Sequence, residues 1–207
     1  MPGGSVAALD TAGYVALTYD DGPDPGSTTD LLAALRAVGA RATFFNIGAH
    51  QRRAPELVRA QLTAGMWIGN HSWSHPRLTA LDRAAVADEL TRTQVLTRRL
   101  TGHPPVLFRP PYGETNAEVR HVAAGLGMAE VLWTVDTEDW NGASTADIVA
   151  AAATLEPGGV LLMHDGGYRT TVDAVGPVVR VLADRGLRPG MISPRTCTVI
   201  PAPAGGY

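Results

Sequence analysis

The sequence has 207 residues, 45% hydrophobic and 18% charged, which suits one sizeable core in a single domain over 1–207. A net charge of −3 without charge blocks offers no footprint for nucleic acid or an anionic membrane, and no apolar run reaches the roughly 20 residues that span a bilayer. Every basic residue is arginine, which excludes a Schiff-base or P-loop lysine, and the single Cys197 excludes an internal disulfide and a cysteine-rich metal site.

Residues 1–12, opening Met1-Pro2-Gly3-Gly4-Ser5, read as a flexible or engineered lead-in without a charged-then-apolar leader, as if an export signal had been removed. Tyr14 to Tyr19 is a run of β-formers that stops at the turn cluster Asp20-Asp21-Gly22-Pro23-Asp24-Pro25-Gly26. Ser27 or Thr28 can cap a helix carrying Leu31, Leu32, Leu35 and Val38, which Gly39 ends. Arg41 to Ile47 reads as the next strand, Pro55 to Leu62 as a second helix before Gly65, and Met66 to Gly69 as a third strand.

His71-Ser72-Trp73-Ser74-His75 follows at once, and one helical or near-helical turn would bring its two imidazoles to one point. Thr79 to Asp82 resembles a capping box for the longest helix, with Val86, Leu90, Thr93, Leu96 and Leu100 at helical spacing up to Gly102. Val106 to Phe108 gives a strand ending at Arg109-Pro110-Pro111-Tyr112-Gly113, and Asn116 caps a helix that Gly127 ends. Glu130 to Val135 reads as a strand ending at Asp136-Thr137-Glu138-Asp139-Trp140. Ser144 to Thr154 follows as a helix, Gly159 to Met163 as a strand ending at His164, and Thr171 to Arg185 as the last helix.

Six or seven β-then-α repeats imply parallel strands with helical crossovers, in a closed barrel or an open doubly wound sheet. The unusual polar residues decide for the barrel. Asp20, Asp21, His71, His75, Arg109, Asp136, Asp139 and His164 all follow a strand's last apolar residues, and a barrel gathers such ends into one mouth where an open sheet spreads them. Two histidines and one carboxylate make a three-ligand site with positions open for water and a substrate oxygen. Nitrogen and oxygen donors without sulfur suit zinc, and also iron, cobalt or nickel. One of Asp20 and Asp21 could ligate while the other takes a proton, Arg109 could aim that base, and His164 could act as general acid beside a carboxylate such as Asp136.

Thr18-Tyr19-Asp20-Asp21-Gly22-Pro23, His71 to His75, Arg109 to Gly113, Asp136 to Trp140 and Leu162-Met163-His164 resemble, in order, the five motifs of the polysaccharide deacetylases, the NodB-homology domain of carbohydrate esterase family four. The resemblance runs from about Tyr14 to Pro194 and looks closest to the actinobacterial branch of acetylxylan esterases and chitin deacetylases. It implies a distorted (β/α)7-type barrel, TIM-barrel-like, that removes acetyl groups from N-acetylglucosamine units of chitin or from acetylxylan, with peptidoglycan as an alternative substrate. It also implies that Asp21, His71 and His75 bind one divalent metal, zinc foremost with cobalt or nickel as alternatives, and that Asp20 is the base.

Under the same resemblance Arg109 orients Asp20, Asp136 tunes His164, and His164 protonates the leaving group. Tyr112 supplies an oxyanion N–H, and Trp140 and Leu162 wall the acetyl pocket. Tyr19 stands where Phe is more usual. The partner implied is an acetylated polysaccharide or oligosaccharide outside the cell, met by a secreted monomer. Rival chemistries are a non-haem iron oxygenase, which the helix-rich alternation opposes, a glycosidase using Asp20 with Asp136 or Asp139, and a sugar-binding module with a vestigial site.

Overall fold

Tyr14–Asp20 (β1) is the strand from which the architecture grows, and from Val15 to Asp20 it is buried on both faces, as a central parallel strand must be. The computed structural model describes residues 13–202, so the lead-in expected over 1–12 lies outside the described residues. After β1 come Thr28–Ala37 (α1), Thr43–Asn46 (β2), Gly48–Arg53 (α2), Pro55–Thr63 (α3) and Trp67–Asn70 (β3). Arg83–Thr101 (α4), Leu107–Phe108 (β4), Ala117–Gly125 (α5), Ala129–Glu130 (β5) and Val135–Asp136 (β6) follow. Thr145–Ala152 (α6), Val160–His164 (β7) and Arg169–Asp184 (α7) complete the repeats, and Arg188–Pro189 (β8), Met191–Ile192 (β9) and Val199–Ile200 (β10) close the described chain.

The parallel sheet runs β5-β4-β3-β2-β1-β7-β6, with β8 paired to the opening residues of β1. Its two end strands, β5 and β6, are joined by only residues 131–134. Laid flat, seven strands would hold their outermost members roughly 29 Å apart, whereas the five peptide units from Glu130 to Val135 reach about 18 Å at most. The sheet therefore curls into the distorted (β/α)7 barrel that the alternation predicts.

Strand periodicity sorts the side chains of β1 and β7. Val15, Leu17 and Tyr19, with Leu161 and Met163, face outward into the main core against Leu31 and Leu35 of α1 and Val175, Val178 and Leu182 of α7. Inward go Ala16, Thr18 and Asp20, and beside them Leu162 and His164, because the register pairs Thr18 with Leu162 and Asp20 with His164. Every other parallel pairing runs in the same sense, so the carboxyl ends of all these strands open on one mouth. One glycine is needed below that mouth: a Cβ on Gly69 of β3 would stand 2.4 Å from Cδ1 of Phe45 in β2, and the Phe45 ring in turn lies 4.3 Å beneath the guanidinium of Arg109.

Several expected boundaries move for identifiable reasons. Ser27 is the residue before α1, yet its hydroxyl does not cap the helix. Ser27 Oγ and Thr28 Oγ1 instead donate to the buried carboxylate of Asp165 at 2.7 and 2.6 Å, tying α1 to the end of β7. The box expected at Thr79 is a short 3-10 turn, and Asp82 caps α4 by accepting from the N–H of Ala85. Asn116 caps α5 as expected, and Ser144 forms a full capping box with Asp147 on α6. The continuous strand expected over Glu130 to Val135 is two short strands on opposite ends of the sheet, because the Arg109 guanidinium takes the carbonyls of Val131 and Leu132 that a ladder would use. Helix α2, between β2 and α3, has no counterpart in the expected element order.

Candidate active site

Asp21 follows the last residue of β1 with φ 71°, a left-handed conformation that a non-glycine residue holds only under constraint. The His71–His75 segment is not the helical turn expected from its spacing but a loop, with Ser72 and His75 both at φ 62°. Neighbours hold it: Asn70 Oδ1 accepts from the Ser72 N–H at 2.9 Å, and the Glu89 carboxylate of α4 accepts from the N–H groups of Trp73 and Ser74 and from the Ser74 hydroxyl, each at 2.8 Å.

This bend brings His71 Nε2 to 3.5 Å and His75 Nε2 to 3.3 Å from Asp21 Oδ1. Tetrahedral bonds of about 2.0–2.1 Å place neighbouring ligand atoms about 3.3–3.4 Å apart, so the spacing fits a cation shared by the three. Asp21 Oδ1 is buried with no hydrogen-bond partner, an acceptor oxygen turned toward two imidazole nitrogens. His71 Nδ1 donates to the carbonyl of Arg109 at 2.7 Å, which leaves the lone pair on Nε2, the form a metal needs. Burial pushes the Asp21 carboxyl up, but the facing imidazoles of His71 and His75 outweigh it and hold it near 2. Burial also lowers both imidazoles; the charges of Asp20 and Asp21 more than offset this at His71, while His75, facing His71, stays low.

Asp20 is 3% exposed, and Arg109 beneath it is fully buried. Arg109 Nη1 donates at 2.8 Å to Asp20 Oδ1 and at 2.8 Å to Thr18 Oγ1, while Nε and Nη2 reach the carbonyls of Val131 and Leu132 at 3.2 and 3.3 Å. The other Asp20 oxygen lies 3.6 Å from His71 Nε2 and so borders the three-ligand cluster. Arg109 thus lies hydrogen-bonded against the Asp20 carboxylate that it is expected to orient.

The partner of His164 is a correction. Asp136 was expected to tune it, but His164 Nδ1 donates to Asp139 Oδ1 at 2.7 Å, and Asp139 Oδ2 accepts from the His164 backbone N–H and from Thr171 Oγ1. Asp136 instead accepts from the N–H of Glu138, and burial pushes its carboxyl above the ordinary range. The reversal arises in the turn: Glu138 takes φ 54°, which swings Asp139 under the end of β7 and leaves Asp136 on the cavity wall. Burial pushes the His164 imidazole down, but the hydrogen bond and charge of Asp139, helped by Asp20 and Asp21, carry it above its usual value. Asp139→Asn therefore releases the His164 proton at lower pH, and the alkaline limb of a kcat/KM–pH profile moves toward acid. An unmoved limb would detach His164 from that proton.

Asp20, Asp21, His71, His75, Tyr112, Trp133, Asp136, Trp140, Leu162, His164 and Tyr168 line one cavity of about 320 Å³ at the barrel mouth. The polysaccharide deacetylase profile matches residues 9–131. The chain belongs to the polysaccharide deacetylase family. Among solved structures, this polysaccharide deacetylase is similar to a family 4 carbohydrate esterase from Streptomyces lividans in complex with acetate, at 49% identity and a TM-score of 0.89, covering 92% of this chain and 98% of that one. Among curated proteins it is 42% identical, over 89% of its length, to a bifunctional xylanase/xylan deacetylase of Cellvibrio japonicus, and spans 28% of that relative. It is 38% identical to a chitooligosaccharide deacetylase of Bradyrhizobium over 73% of its own length and 70% of that protein.

Of the site residues expected in a polysaccharide deacetylase, all reach the cavity except Arg109, which lies beneath it. Trp140 is 50% exposed and Tyr112 54%, so both stand on the rim and not in the core, while buried Leu162 of β7 lines the same cavity. Tyr112 takes φ 61° and packs edge-on against the His75 ring at 4.6 Å. Trp133 and Tyr168 are additions, and Asp139 takes the place beside His164 that was expected of Asp136. Trp133 lies in the stretch 131–135, whose composition reads as strand. Asp139 is the fourth residue of the motif that Asp136 opens, and sequence alone does not separate the two carboxylates.

Proposed function

We propose that the protein is a metal-dependent deacetylase that hydrolyses acetyl groups on polysaccharide or oligosaccharide chains, the N-acetyl groups of chitin-type N-acetylglucosamine and the O-acetyl groups of xylan. The observation that carries this is the convergence of Asp21 Oδ1 with two imidazole nitrogens, Asp20 and His164 in one cavity. Asp21, His71 and His75 would hold one divalent ion, zinc by donor set with cobalt or nickel also suited, and such an ion supplies Lewis-acid polarisation of water and of an acyl oxygen.

Asp20, aimed by Arg109, takes a proton from the attacking water. The backbone N–H of Tyr112 meets the charge that grows on the acyl oxygen, a role supported by its constrained left-handed turn at the rim. His164, charged beside Asp139, delivers a proton from Nε2 to the departing sugar nitrogen or oxygen, so acetate and a free amine or hydroxyl leave. Trp140, Leu162 and Trp133 enclose the acetyl methyl, and Tyr112 and Trp140 on the rim offer apolar faces to neighbouring sugars. The substrate polymers are extracellular, so the protein acts outside the cell, as a monomer; among the described residues no helix is long and apolar enough to cross a membrane.

The test is acetate release from chitin oligomers and from acetylated xylan in parallel, on protein stripped by a chelator and then given zinc, cobalt or nickel. Activity is expected to vanish on stripping and to return with metal, and the ratio of rates reads the bond preference. Acetate release that survives stripping would overturn the metal-dependent reading, and new reducing ends without acetate would favour glycosidase chemistry instead.

A further inference from the structure

Four hydrogen bonds from residues 47–50 run to the two loops that carry the three ligand residues. The Ile47 N–H donates to Gly22 O at 2.9 Å, and His50 Nδ1 lies 2.7 Å from Asp21 O. The Gly48 N–H donates to Ser72 O and the Ala49 N–H to Trp73 O, both at 2.9 Å. Gly22 and Asp21 belong to the aspartate loop; Ser72 and Trp73 lie between the two histidines. Since a carbonyl only accepts, His50 Nδ1 carries the proton and donates.

Three residues in these loops, Asp21, Ser72 and His75, sit at φ 71°, 62° and 62°. Each such backbone is strained and persists only where surrounding contacts over-determine it. The start of α2 supplies such contacts to both loops at once. Gly48 is itself required there, since a Cβ would stand 2.4 Å from Thr93 Oγ1 and 2.5 Å from Cε3 of Trp73. Of the four donors, three belong to the backbone, and only His50 contributes a side chain that substitution can remove.

We infer that His50 is a positioning residue of the metal site, which sets the affinity for the ion by fixing the Asp21 backbone relative to the His71–His75 loop. This rests on Asp21, His71 and His75 binding a divalent metal. His50 touches neither the ion nor the substrate. Its work is to hold one ligand's peptide in a conformation that it would otherwise leave, and outer contacts of this kind are worth about 10–100-fold in metal affinity.

Asparagine and leucine separate the donor from the bulk, because Asn carries its Nδ2 on Cγ as His carries Nδ1, while Leu has the shape of Asn without a donor. Zinc affinity is measured by competition with a chromogenic chelator on the intact chain and on His50→Leu and His50→Asn, with thermal melts of the metal-free proteins alongside. The expected result is a loss of about 10–100-fold in zinc affinity for His50→Leu, with His50→Asn recovering most of it while the metal-free melts stay close together. Leucine binding zinc as tightly as histidine, or asparagine binding as weakly as leucine, would overturn the inference. Should His50→Leu fail to fold, His50→Ala takes its place in the same comparison. Failure of the unmodified chain to bind zinc, cobalt or nickel would instead remove the metal site itself, which the same titration reveals first.

Discussion

Asp20→Asn is expected to lower kcat for acetate release by about 10²–10⁴-fold, the range that a positioned general base supplies, while the protein still binds its metal at one equivalent. The amide keeps the shape of the carboxylate and can present its oxygen to Arg109 Nη1, now 2.8 Å from Asp20 Oδ1. Its NH2 then occupies the place of the oxygen 3.6 Å from His71 Nε2, where it has no lone pair to receive a proton. The three ligand atoms are untouched, so metal content measured on the variant separates loss of the base from loss of the ion. A variant that retained activity within tenfold would show that the proton goes elsewhere, and the division of labour between Asp20 and Asp21 would fall.

Arg109→Met is expected to destabilise the protein by roughly 3–5 kcal/mol, because it strands the buried Asp20 carboxylate without its cation. For a chain of this length that corresponds to a fall of roughly 6–20 °C in melting temperature. Three further groups lose a donor: Thr18 Oγ1 and the carbonyls of Val131 and Leu132. Lysine would not restore them, since its ammonium is a point donor where the guanidinium forks between β1 and the seam at residues 131–134 that joins β5 to β6. Urea unfolding of Arg109→Met, Asp20→Asn and the double variant measures the coupling, and the double variant should unfold more easily than Asp20→Asn by much less than 3–5 kcal/mol. Additive losses would mean that Arg109 acts on the seam alone.

The alternation of elements and the polar residue after each strand were legible because both are local: a two-residue period, a terminating turn and an Asp, His or Arg in a place where turns alone do not ask for one. The closed form of the sheet was legible only by asking what would gather those residues. What escaped depends on partners far away in sequence. The apolar run 131–135 reads as strand, and only the Arg109 guanidinium, arriving from 22 residues earlier, turns its carbonyls away from a ladder. The two histidines were rightly paired, but their spacing suggested a helical turn; the loop's actual conformation is imposed by Asn70 and by Glu89 of α4. Asp136 and Asp139 are chemically the same residue, and the choice between them is made by the left-handed turn at Glu138, which nothing in that residue's identity announces. Helix α2 was missed because its six residues are too few to show a periodic face.

The short crossing between β5 and β6 bears on how this scaffold can diversify. Residues 131–134 tie together the two ends of the sheet, and the carbonyls of Val131 and Leu132 are anchored by the arginine that also holds Asp20. An insertion there would slacken the tether and loosen the seat of the base in the same stroke. The turn 102–105 after α4, at the opposite end of the barrel, has the carbonyls of His103 and Pro105 held by Thr101 and Gln94, not by the arginine that seats the base. Variation in loop length among descendants of this chain should therefore collect at such outer turns and spare the four-residue seam.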